Sequence, residues 1–166
     1  MIEAETRDHL IAASNFLFGV ANFLTLTLPE PWRLGRGISP PEVNSYTRRG
    51  DLLWVTSGRT SHIIFDEDRK IGLELLVSIS KGKRGEFKPR IGVVSAQGVT
   101  HAGGHEAAYV LGETKVGLFK KRTIKILQLS FYCDKTERTI TLTLTGDCAE
   151  DDLIQILEVI PRLECH

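Results

Sequence analysis

From Thr139 to Thr145 the chain alternates threonine with Ile140, Leu142 and Leu144 without a break. A period of two cannot make a helical stripe. It makes a strand with one face in a core and the other in water. Thr123 to Cys133 reads as the preceding strand, with Asp134-Lys135-Thr136-Glu137-Arg138 as the hairpin turn between them. After Gly146, Asp147 is a candidate N-cap, and Glu150, Asp151 and Asp152 fill a first turn where they oppose the positive helix end. Leu153, Ile156, Leu157 and Ile160 then recur at helical spacing, and Pro161 stops or kinks the helix. A strand pair followed by a one-sided helix predicts a helix laid across one face of a sheet.

The rest of the chain agrees with a sheet. Ala21 to Leu28 reads as a strand ended by Pro29 and Pro31, since proline cannot donate to a ladder. Asp51 to Ser57, Ser61 to Asp66 and Ile71 to Ser80 read as strands, with Asp66-Glu67-Asp68 as a charged turn. Gly35 to Gly50 and Lys81 to Pro89 read as loops. Ile91 to Ser95 and Glu106 to Leu111 complete a meander in the C-terminal half. Met1 to about Ala13 is a candidate N-terminal helix, with Ile2, Leu10 and Ile11 as its large apolar residues. The fold class expected is α+β: a mostly antiparallel sheet, a C-terminal helix packed on one face, and that candidate N-terminal helix.

At 166 residues, 42% hydrophobic and 25% charged, the chain fits one globular domain, 1–166, with one sizeable core. Lys+Arg and Asp+Glu are 21 each, so no global field steers it toward nucleic acid or an anionic membrane, though local patches are open. Leu10 to Leu28 is apolar, but Ser14, Asn15, Gly19, Asn22, Thr25 and Thr27 interrupt it and its second half alternates like a strand. Glu3, Glu5 and Asp8 sit where a secretory signal carries positive charge. The expected setting is the cytoplasm, with no membrane span. Three cysteines, Cys133, Cys148 and Cys165, are too few for a secreted disulfide scaffold.

Leu17-Phe18-Gly19-Val20-Ala21, then Leu26-Thr27-Leu28-Pro29-Glu30-Pro31-Trp32, resembles the opening of the PsbP/Mog superfamily: a strand, a proline and a core-closing aromatic. Arg69 to Val77, with Gly72-Leu73-Glu74-Leu75-Leu76, is similar to its central strand, and the terminal hairpin and helix match in order and length. The resemblance spans nearly the whole chain and implies that fold and a habit of non-enzymatic binding. The acidic Ran-binding stretch of the Mog branch would fall within 35–50, where this chain has Arg36, Arg48 and Arg49 against Glu42. That departure removes the case for Ran binding.

Candidate chemistry sits in a few places. His101-Ala-Gly-Gly-His105-Glu106 offers two imidazoles and a carboxylate for zinc or another transition metal, and equally a Gly103-Gly104 hairpin turn. Cys133 and Cys165 could pair as a disulfide, closing a loop of about 30 residues worth about 3–4 kcal/mol. They could instead join His105 or His166 around zinc, or stay inert thiols. Lys81, Lys83 and Arg84 in the basic loop 81–90, and Lys120, Lys121 and Arg122 in the basic stretch 120–125, would bind anions if they met at one end of the sheet. Aromatics are sparse there, so nucleic acid is disfavoured. Asp66-Glu67-Asp68 and Glu150-Asp151-Asp152 lack calcium-loop spacing.

No catalytic motif stands out. The chain therefore reads first as a small non-enzymatic accessory domain without a required cofactor, binding an unknown protein partner. The alternative is a metal- or small-ligand-binding protein, enzymatic or not, centred on His101, His105 and Glu106. Third is an anion or nucleic-acid binder through the two basic segments.

Overall fold

The computed structural model describes residues 6–15, 19–35, 58–85, 87–89 and 91–165. The strands are β1 (Thr6–Asn15), β2 (Gly19–Pro29), β3 (Arg33–Leu34), β4 (Gly58–Asp66), β5 (Ile71–Lys81), β6 (Val93–Ala102), β7 (His105–Val116), β8 (Arg122–Cys133) and β9 (Arg138–Gly146). Helix α1 (Glu150–Val159) follows and tightens into a 3-10 turn over Ile160–Arg162, the site of the predicted proline stop. β3 to β9 form one antiparallel sheet in the order β3-β4-β5-β9-β8-β7-β6. β6 to β9 are the expected meander. The expected α+β class, sheet-dominated with a C-terminal helix, is what the chain adopts.

The strand alternation builds two unlike faces. Leu73, Leu75, Val77 and Ile79 of β5, Leu127, Leu129 and Phe131 of β8, and Ile140, Leu142 and Leu144 of β9 are buried in one core. Leu153, Ile156 and Ile160 of the helical segment cover them, together with Leu24, Leu26 and Leu28 of β2. Each such side chain stabilises the fold by about 1.5–3 kcal/mol. Trp32, fully buried, closes the same core just past the strand-ending prolines. Thr141, Thr143 and Thr145 stay half-buried on the opposite, polar face.

Three expectations are corrected. First, no helix occupies Thr6–Ala13; β1 runs there and pairs antiparallel with β2, from Thr6↔Pro29 to Ala13↔Asn22. Three scattered apolar residues make a weak helical stripe, and the open hydrogen-bonding edge of β2 satisfies the backbone instead. Second, the cap of α1 is Ala149 rather than Asp147: the Asp152 carboxylate accepts the Ala149 backbone N–H at 3.1 Å from inside the first turn. Third, β6 runs through Gly98 to Ala102, well past Ser95. Gly98 faces Tyr109 across the ladder, and the tyrosine ring covers the space a Cβ would fill. The loop expected over 36–50, the strand over 51–57, Arg90 and His166 lie outside the described residues.

No helix among the described residues is long and apolar enough to cross a membrane. The described residues of the stretch Leu10 to Leu28 pair as β1 and β2.

Candidate metal centre

Three chain segments converge at the end of the sheet where β8 finishes. Cys133, the last residue of β8, continues the buried face of Leu127, Leu129 and Phe131 and is fully buried. His105, the first residue of β7, lies two strand positions before buried Ala107. Its ring stacks on Phe131, with centroids 6.0 Å apart and planes 9° from parallel. Its Nδ1 lies 3.6 Å from Oδ1 of Asp134.

Cys165 arrives from the far end of the chain. After the 3-10 turn, Glu164 exchanges two backbone hydrogen bonds with Thr25 of β2, both 2.9 Å. That bridge fixes the next residue, buried Cys165, at the edge of the core. The β6–β7 turn closes on it from the other side. Gly103 and Gly104 have φ of +57° and +82°, the left-handed conformation a tight hairpin needs. A Cβ on Gly103 would stand 2.8 Å from the Leu163 carbonyl oxygen and 3.6 Å from Cys165 Sγ, so only glycine lets the turn pack there.

As a result, one ligand atom each of His105, Cys133 and Cys165 lies within 4.8 Å of the other two. Ligands bound at about 2.0–2.3 Å to one tetrahedral ion sit roughly 3.5–4 Å apart, a spacing close to this cluster's. The donor set, two sulfurs and an imidazole, is soft and suits zinc. A carboxylate near the imidazole, here Asp134, is the usual orienting partner of a metal-bound histidine. The Cys133 and Cys165 sulfurs are in hydrogen-bonding contact, not joined covalently. That contact first, and burial second, holds the Cys165 thiol well above the ordinary thiol range.

His105 is thus the member of the predicted His101–His105–Glu106 trio that reaches the cluster. His101 and Glu106 face each other across the hairpin ladder, both exposed. The predicted pairing of Cys133 with Cys165 brings together two residues that do meet. Asp134 escaped the sequence reading; the available signal was its position at the turn directly after Cys133. Cys148 stands apart from the cluster, its thiol pushed up to about 11 by burial and then by Asp152 and Asp147.

The start of the first basic segment does not meet the second. Lys81 pairs with Arg138 at the Cys133 end of the sheet, whereas Arg122 opens β8 at the other end, roughly 35 Å away along that strand. A single anion site built from Lys81, Lys83, Arg84, Lys120, Lys121 and Arg122 is therefore not formed. The cause is topological: β5 and β6 run parallel with three strands between them, so the connection after Lys81 crosses the polar face from end to end. Thr139 Oγ1 donates to the Gly82 carbonyl at 2.8 Å and accepts the Arg84 N–H at 3.1 Å, which pins the crossing. Beneath it lies an open cavity of about 770 Å³ lined by Lys83, Arg84 and Phe87 above Ser130, Tyr132 and Thr141.

No protein-family model matches the chain, and no curated protein matches it. Among solved structures it is similar to the crystal structure of LpqN involved in cell envelope biogenesis of Mycobacterium tuberculosis. The identity is 15% and the TM-score 0.48, over 96% of this chain and 91% of that one.

Proposed function

We propose that this protein is a non-enzymatic accessory domain whose C-terminal segment is clasped to the sheet by a zinc ion on His105, Cys133 and Cys165. The observation that carries the reading is the convergence of three ligand atoms within 4.8 Å from three segments far apart in sequence. Both thiols are buried, as in a structural rather than a reacting site. A tetrahedral zinc site of this kind is completed by a fourth ligand. Metal binding displaces the thiol protons, so affinity rises with pH through the neutral range.

Native mass spectrometry with elemental analysis, in the presence and absence of reductant, tests this directly. One zinc per chain is expected, with tetrahedral cobalt bands on substitution. His105→Gln is expected to cost more than about a hundredfold in affinity, and Asp134→Asn about 10–100-fold. A metal-free protein two hydrogens lighter than the reduced form would sink the zinc reading and make Cys133–Cys165 a disulfide staple. A binding role rather than turnover also suits β6, an edge strand on which Val93 and Val99 are each 62% exposed. Slowed amide exchange along β6 in cell extract relative to buffer is expected, and unchanged exchange removes that surface.

A further inference from the structure

The end of the sheet opposite the cluster carries a projecting hairpin. β8 pairs with β9 only from Lys125 onward, at Gly146, and β7 pairs with β6 only up to Glu113, at Val93. Beyond those points Thr114↔Ile124, Lys115↔Thr123 and Val116↔Arg122 pair solely with each other. Ile124 is still buried, so the rungs Lys115↔Thr123 and Val116↔Arg122 and their turn stand clear of the sheet by roughly 7 Å. At the tip Leu118 is 92% exposed and Phe119 100% exposed, although both are large and apolar. Gly117, at φ +112°, makes the turn that puts them there, where a Cβ would collide with the Lys120 carbonyl oxygen.

Cations collar this tip. Lys115, Lys120, Lys121 and Arg122 are all exposed, and no carboxylate occurs between Thr114 and Cys133. Glu113, at the base, is taken by an ion pair with Lys125. Glu150, at the acidic start of α1, also bears on that same Lys125.

We infer that the β7–β8 tip is a peripheral membrane contact: Leu118 and Phe119 enter the headgroup–acyl boundary of an anionic bilayer while the four cations engage lipid headgroups. The chemistry selects a bilayer over the alternatives. A protein partner needs about 800 Å² per side, far more than two side chains offer. A single-stranded nucleic acid wants a row of aromatic platforms, and the tip has one ring. A bilayer asks only for apolar groups reaching about 5–10 Å beyond a basic collar. The contact does not depend on the metal reading, since tip and cluster occupy opposite ends of the sheet.

Vesicle co-sedimentation of the full chain tests it, with phosphatidylcholine vesicles and with vesicles containing phosphatidylglycerol. Binding to the anionic vesicles is expected, weakening with salt. The paired change Leu118→Ser and Phe119→Ser is expected to reduce it at least about tenfold, and Lys120→Glu with Lys121→Glu by at least as much. These positions are exposed, so circular dichroism of both variants should match the parent. Absence of binding to anionic vesicles at low salt, or binding that survives both variants, overturns the inference. An oligonucleotide bound through the same residues without any vesicle binding would overturn it too, assigning the tip to nucleic acid.

Discussion

Asp66 is a buried carboxylate at the end of β4, and its surroundings explain why it is tolerated. It accepts backbone N–H groups from Asp68 at 3.0 Å and Arg69 at 3.2 Å, and the Arg69 Nε at 2.6 Å. Arg69 also donates to Asp152 at 2.9 Å and lies over the Trp32 ring, 5.6 Å from its centroid. One guanidinium therefore ties the β4–β5 turn to the first turn of α1 and to the core. The Arg69 side chain is the main cause holding the Asp66 carboxyl below its ordinary value near 3.8, with burial opposing it. A carboxylate depressed in the folded state adds stability above its unfolded pKa, and that stability is lost as pH falls through the folded value. The urea midpoint of the parent should therefore hold with respect to this group down to about pH 4 and fall below it. Asp66→Asn should lower the midpoint at pH 7 and flatten the acid decline; an unchanged acid decline would show that Asp66 is not its source. In the sequence this residue looked like part of a solvated acidic turn, because the 83 positions between Arg69 and Asp152 hide their contact.

Among the elements, the β6–β7 hairpin was legible at its turn and was the most consequential. Gly103-Gly104 announced a turn, and a turn formed with both glycines left-handed. What the dipeptide did not announce is that Gly103 is also a packing position against Leu163 and Cys165. Gly103→Val should strain the backbone by about 1–3 kcal/mol and push the C-terminal segment away. If the segment is clasped as proposed, the same change should weaken zinc binding along with thermal stability. A loss of stability with unchanged zinc affinity would mean the turn does not shape the site. The N-terminal strand was illegible for a different reason. β1 has no convincing pattern of its own and takes its form from the free edge of β2.

Taken as a whole, the molecule depends on contacts between its two layers. Leu26, fully buried on β2, packs into the same core as the sheet and helix, one residue from the Thr25–Glu164 bridge. Leu26→Ala should cost about 2–5 kcal/mol and lower Tm by about 5–15 °C. Calorimetry should still give one transition, and a separate early melting of the β1–β2 layer would contradict a shared core. The sequence by itself determined the local matter: the strand period at 139–145, the proline stop after β2, the helix stripe from Leu153 to Ile160, and hence the α+β class. These follow from backbone geometry acting over a few residues. Only the tertiary structure decided which distant residues meet. Strand order sent Lys81 to one end of the sheet and Arg122 to the other, although composition alone invited them into one patch. The return of α1 across the sheet brought Cys165 to Cys133 and His105. Such meetings are set by loop paths and pairing partners, and no spacing along the chain encodes them.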